Sequence, residues 1–175
     1  MKALLLYILL LLANPALAWR ETLPQARLIG EGELRWFGLS IYTARLWSPA
    51  APQQLTAATP EAAFALELTY HRSITRERFV ETSLEEIERL SGAKIDAARL
   101  SRWREAMQRA FVDVEAGMRI TGVYLPGEGC RFYVNDRLQH HVADPDFAAA
   151  FFAIWLDPRS RDHTLRQRLL GGALT

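Results

Sequence analysis

Between Ala63 and Arg72 apolar and polar side chains alternate, with Phe64, Leu66, Leu68 and Tyr70 on one face and Ala65, Glu67, Thr69 and His71 on the other. A period of two predicts a half-buried strand. From Thr75 the period changes: Val80, Leu84, Ile87 and Ser91 recur at helical spacing and Gly92 follows as a stop signal. Asp96 opens a second helix, whose Leu100, Trp103, Met107 and Ala110 form one stripe. Both stripes are expected to face the core. Strand patterns return at Arg119 to Leu125, Cys130 to Val134 and Leu138 to Val142, joined by turns at Pro126-Gly-Glu-Gly129 and Asn135-Asp136. Asp144-Pro145 then supplies an N-cap and a proline at the first helical position. Phe147, Ala150, Phe151 and Ile154 continue that helix on one stripe to about Leu156. A last short helix, opened by Asp162, carries Leu165, Leu169 and Leu170 before Gly171-Gly172.

Leu34 to Trp47 is dense in aromatic and β-branched residues, with Gly38 interrupting it as a bulge or bend would. It reads as one long strand or two collinear ones. Alternation then sets Arg35, Phe37, Leu39 and Ile41 on one face and Trp36, Gly38, Ser40 and Tyr42 on the other. Both faces are largely apolar at mid-strand, which predicts a central position in the sheet. Ser48 to Pro60 is rich in Pro, Ala and Gln and reads as a loop. Strands, then helices, then strands, then helices imply an α+β fold, an antiparallel sheet with helices layered on one face.

The amino end changes the picture of where the protein works. Lys2 precedes an unbroken apolar run from Ala3 to Ala13 and the small-residue site Ala16-Leu17-Ala18. That pattern predicts a secretory signal peptide over residues 1–18, cut after Ala18, and one domain over residues 19–175. The run is shorter than the roughly 20 apolar residues of a membrane-spanning helix, so no integral membrane segment is expected after the cut. The expected location is periplasmic or secreted. Lys2 is the one charge removed, leaving 20 basic side chains against 20 acidic ones. Their even scatter excludes the one-signed stripe of a nucleic-acid footprint.

Little in the chain has the spacing of chemistry. Gly30-Glu-Gly32 and Pro126-Gly-Glu-Gly129 lead into strands, not helices, so they read as turns and not as phosphate cradles. His140 and His141 are neighbours on a strand and point to opposite faces, which leaves no metal site and no cofactor to expect. Glu85, Glu86 and Glu88 sit among arginines as a solvated helix face would. Asp157, Ser160, Asp162 and His163 read as helix capping rather than a nucleophilic triad. Cys130, the single cysteine, reads as a small buried apolar residue. One cluster remains. If Phe37, Leu39, Ile41, Phe64, Leu66 and Leu68 face the helices, parity places Arg35, Tyr70 and Arg72 on that face at its edges. Arg35, Phe37, Tyr70 and Arg72 are therefore the candidate ligand-binding residues. A guanidinium and a phenol there would hold a carboxylate while an apolar tail lies among the aromatics.

Leu34 to Trp47, Tyr70-His-Arg-Ser-Ile74 with its following helix, Tyr124-Leu-Pro-Gly127, and above all the stretch from Asp144 to Pro158 resemble the bacterial, exported branch of the chalcone isomerase-like family. The resemblance covers nearly all of the chain after the signal peptide. It implies an open-faced β-sandwich with a ligand cleft between sheet and helices. Plant isomerases of that family add a phenolate to an enone with the help of a strand threonine, an arginine and a tyrosine. Relatives lacking the set bind fatty acids through an arginine and a tyrosine. The resemblance puts Phe37 where the catalytic threonine would stand, and a phenyl ring can neither donate nor accept the required hydrogen bond. The family arginine would fall near Gln25 to Arg27, out of register with Arg27, and the catalytic tyrosine has no counterpart.

The leading expectation is thus a non-catalytic module whose partner is an apolar or carboxylate-bearing small molecule such as a fatty acid. Two other readings stand beside it: an isomerase of the intramolecular-lyase class, and an envelope interaction protein whose cleft is filled by its own side chains.

Overall fold

Residues 18–93 and 95–172 are described by a computed structural model, in which six strands pair antiparallel in chain order. They are β1 (Arg27–Trp36), β2 (Leu39–Ser48), β3 (Phe64–Tyr70), β4 (Arg119–Leu125), β5 (Gly129–Val134) and β6 (Arg137–Val142). Helices α2 (Arg76–Ser91) and α3 (Ala97–Ala110) fill the connection between β3 and β4. Helices α4 (Pro145–Leu156) and α5 (His163–Leu169) follow β6, and a short α1 (Trp19–Thr22) precedes β1. The α+β architecture expected from the order of patterns is the one observed.

The helix boundaries follow from side chains that satisfy orphaned amides. Thr75 accepts from the Arg78 amide at 3.2 Å, Asp96 from the Arg99 amide at 3.0 Å, and Asp144 from the Phe147 amide at 2.9 Å. Each such cap contributes about 1 kcal/mol. Asp144 does more, because its second oxygen accepts from the Trp103 indole at 2.9 Å and so ties α3 to the start of α4.

The core lies between the sheet and the helices. Ala44, Leu46, Phe64, Leu66, Leu68, Ile120 and Phe132 contribute from the strands, and Val80, Leu84, Ile87, Trp103 and Met107 from α2 and α3. Helix α4 is apolar from Phe147 to Leu156, with Phe147, Ala148, Phe151, Phe152, Trp155 and Leu156 buried. On the opposite face of the sheet, Trp19 of α1 and Leu23 just after it pack on Ala65, Val123 and Tyr133.

The segment from Leu34 to Trp47 differs from its expectation. It is neither one strand nor two collinear ones: the chain reverses at Phe37-Gly38, and β1 and β2 form an antiparallel hairpin. Both turn residues have positive φ, 48° and 77°, the backbone of a tight turn that twists with its strands. The reversal resets the alternation. Tyr42, Ala44 and Leu46 lie opposite Tyr70, Leu68 and Leu66 and share their helix-facing side, so the face assigned to Phe37, Leu39 and Ile41 is the other one. This hairpin stands at the edge of the sheet, so β1 is not central.

Gly30-Glu-Gly32 is a second correction, since it lies inside β1 and forms no turn. A Cβ at Gly30 would collide with the backbone carbonyls of Arg168 and Leu169, and one at Gly32 with the Leu165 side chain. Glycine is needed because α5 lies directly on the strand. Glu86 is likewise buried rather than solvated. It receives Arg89 at 2.8 Å and also Arg161, so the carboxylate ties α2 to the segment before α5.

Candidate functional site

The four residues singled out from the sequence are not brought together. Phe37 sits at the hairpin apex, 89% exposed. Arg35 pairs with Glu33 at 2.8 Å and its side chain is 63% exposed. Arg72 is exposed just beyond the end of β3. Tyr70 alone enters the space between sheet and helices, where its hydroxyl is buried without a hydrogen-bond partner. The inference that a phenyl ring at Phe37 blocks a catalytic position therefore falls: that ring points to solvent and touches no cleft.

What closes the space between the layers is a different set of rings. Phe152 of α4 packs edge-on against Phe64 with centroids 5.0 Å apart, and Phe151 lies 5.2 Å from Phe132 and 5.3 Å from Trp155. Phe79 and Phe111 stack at 4.3 Å. Each pair contributes about 1 kcal/mol beyond its burial. A void of about 10 Å³ is left between the layers, beside Leu66, Leu68, Gly122, Phe152 and Trp155. That space is too small for an acyl chain.

Tyr42 and Tyr70 lie at the edge of this filled layer with ring centroids 5.8 Å apart. The Trp155 indole donates to the Tyr42 hydroxyl at 3.0 Å. Burial pushes the Tyr42 phenol up despite that bond, and burial together with the neighbouring phenol pushes Tyr70 well above its ordinary value. Both phenols stay protonated at neutral pH.

A larger concavity opens on the outer side of α4. The alternation of large and small residues in Pro145–Leu156 produces it. Phe147, Phe151, Phe152 and Trp155 fill the layer next to the sheet, whereas Ala149, Ala150 and Ala153 face α2 and α3 with almost no side-chain volume. The resulting groove has a volume of about 430 Å³. Ile87 and Leu90 of α2, Trp103 of α3 and the Leu55–Pro60 segment form its other walls. The loop expected between Ser48 and Pro60 thus has a role, and its 3-10 turn at Pro52–Leu55 buries Leu55 as one wall.

Polar groups stand only at the rim. Arg159 is held by both carboxylate oxygens of Asp157, at 3.0 and 2.9 Å. Arg99 is different: its nearest carboxylates, Asp96 and Asp146, are 3.9 and 3.7 Å away. These are long, half-exposed ion pairs beyond hydrogen-bonding distance, which leave guanidinium N–H groups able to meet a further acceptor. It lies 5.8 Å from the centre of the Trp103 ring, at the apolar edge of the groove. Phe152 lines this groove and the interlayer void alike and forms the partition between them. The sequence reading missed the groove because Ala149, Ala150 and Ala153 look like ordinary helix formers. The interleaving of Ala149, Ala150 and Ala153 with Phe147, Phe151, Phe152 and Trp155 was the available signal.

Cys130 is buried in the core, as expected of a small apolar residue, and burial with the nearby Asp144 charge pushes its thiol up. Asp162 caps α5 by accepting from the Leu165 amide at 2.8 Å. Among the described residues, no helix is long and apolar enough to cross a membrane.

One antiparallel sheet layered by helices over a ring-filled interior defines an open-faced β-sandwich of the α+β class. The chain belongs to the chalcone isomerase-like family, whose model matches residues 25–171. Among solved structures it is similar in fold to a fatty-acid binding protein of Arabidopsis thaliana, with a TM-score of 0.63 and 11% sequence identity over 84% of this chain and 87% of that one. No curated protein matches the sequence.

Proposed function

We propose that the protein is a non-catalytic, exported module that binds an apolar or amphipathic small molecule, such as a fatty acid, in the groove outside α4. The observation that carries this reading is the groove of about 430 Å³ with apolar walls and one guanidinium, Arg99, at its edge, which is ion-paired with Asp96 and Asp146 only at 3.9 and 3.7 Å. A volume of roughly 300 Å³ or more with a few converging polar groups is the usual form of a small-molecule site. The tail lies along Ala149, Ala150 and Ala153, and the carboxylate meets Arg99 through charge-assisted hydrogen bonds. The fold shared with a fatty-acid binding protein supports this class of ligand. The ligand lies outside the interlayer space, because Phe152 separates the two.

Two observations favour binding over isomerisation. The phenols of Tyr42 and Tyr70 are pushed away from ionisation, and among the described residues no arginine bonds to either. A base and a polarising cation are thus both missing beside these two phenols. Export rests on Lys2, the apolar run from Ala3 to Ala13 and the Ala16-Leu17-Ala18 site.

The test is native mass spectrometry of protein purified without detergent, followed by titration with a fluorescent fatty acid. One ligand per chain is expected, and Arg99→Gln weakens the carboxylate about tenfold or more while leaving the matching fatty alcohol unaffected. A ligand-free mass together with no saturable binding ends the proposal.

A further inference from the structure

The β1–β2 hairpin outruns the sheet to which it belongs. The last pair that β2 makes with β3 is Tyr42 with Tyr70, yet β1 and β2 stay paired as far as Trp36 and Leu39. Beyond Ile41 the hairpin is therefore a two-stranded finger, projecting roughly 10 Å at the rise of extended chain. Its tip is apolar. Trp36 is 64% exposed, Phe37 89% and Leu39 48%, and the Trp36 and Phe37 rings meet edge-on with centroids 5.2 Å apart.

Folding does not call for this tip. Phe37 has a φ of 48°, a left-handed conformation that is unfavourable for a bulky residue. The other tight hairpin, at Asn135-Asp136 with φ of 44° and 69°, uses the residue types that tolerate it. Phe37 keeps the unfavourable backbone while packing against no core residue.

Two exposed arginines flank the finger, Arg35 in an ion pair with Glu33 that leaves its other guanidinium N–H groups in solvent, and Arg72 just past β3. The Glu33 carboxylate is occupied by Arg35 and Ser40. The two aromatic rings offer about 300–400 Å² of burial. A stable protein interface needs about 800 Å² per partner, so a convex tip of this size is too small for one. It suits a lipid headgroup layer, where tryptophan and phenylalanine seat at the acyl boundary and arginine stems reach back to phosphate.

We propose that the Trp36-Phe37 tip inserts into the interface of a phospholipid bilayer, with Arg35 and Arg72 pairing with lipid phosphates. The proposal is independent of what the groove holds.

The experiment uses the full chain and its Trp36→Phe variant, whose difference emission spectrum reports Trp36 alone. Vesicles of phosphatidylcholine with and without phosphatidylglycerol are added. The expected result is a blue shift of the difference spectrum and quenching by brominated lipid, stronger with phosphatidylglycerol. Phe37→Asp abolishes both, and because the site is exposed its thermal melt matches that of the unaltered chain. Attachment through any other part of the chain leaves the difference spectrum unchanged. An unchanged spectrum with both vesicle types, or a shift that survives in Phe37→Asp, overturns the proposal.

Discussion

The Phe152 ring lies where a side chain at Gly122 would stand: a Cβ there would be 2.8 Å from the ring's Cζ. The glycine in β4 and the ring in α4 are two halves of one packing solution, and the Phe132 ring at 3.2 Å closes the third side. Gly122→Ala must displace Phe152 or spread the layers. Overpacking of this kind costs about 1–3 kcal/mol. The expected outcome is a lower urea midpoint with an unchanged slope, and a midpoint equal to that of the parent would show that the layers yield freely.

Phe152→Leu tests the same ring from its outer side. Shortening it thins the partition between the groove and the interlayer void, so the groove deepens toward Leu66 and Leu68. The variant is expected to lose about 1–2 kcal/mol of stability. It is also expected to shift preference toward longer acyl chains, measured by displacement of a fluorescent fatty acid across a chain-length series. Identical preferences in the two proteins would mean that the tail does not lie against Phe152.

Tyr70→Phe is expected to leave stability unchanged or to raise it slightly. The hydroxyl is buried with no partner, and an unpaired buried polar group costs about 1–3 kcal/mol. Removing it loses no hydrogen bond and keeps the ring contacts with Tyr42 and Phe79. Differential scanning calorimetry decides. A melting temperature several degrees lower would reveal a bonded partner such as a buried water.

Acid should weaken the tie made by Glu86. Burial acts to raise its carboxyl, but hydrogen bonds and charge from Arg89 and Arg161 outweigh it and hold the group below its ordinary value. A depressed value in the folded chain means that the contribution is fully present above the unfolded value, near 4.5. It is lost as pH falls through the lower, folded one. The stability gap between the parent and Glu86→Gln, from urea melts, is therefore expected to be flat at neutral pH and to shrink in acid. A gap that is the same at neutral and acid pH would refute the ion-paired reading.

Helix starts and the buried face of β3 were legible from residue order because their causes are local. Thr75, Asp96, Asp144 and Asp162 each cap the helix that they precede, and the alternation through Phe64 to Tyr70 marks the buried face of β3 correctly. The candidate site was much less legible. Its groove is a sum of missing volume at Ala149, Ala150 and Ala153, bounded by α2, α3 and the Leu55–Pro60 segment, and no local pattern records an absence.

Amphipathic period, capping and turn chemistry act within a few residues, so the order of amino acids alone was enough for the α+β class and for the elements from β3 onward, while β1 and α1 went unread. The direction of the chain at Phe37-Gly38 was another matter. A phenylalanine at positive φ is not a turn signal, and the reversal that it makes exchanges the two faces of everything read through it. The same holds for Gly30, Gly32 and Gly122, whose reason lies in α5 and α4 more than a hundred positions or some tens of positions away. Local rules select the elements; which side of an element is buried, and what volume is left between elements, depends on partners that meet only when the chain has folded.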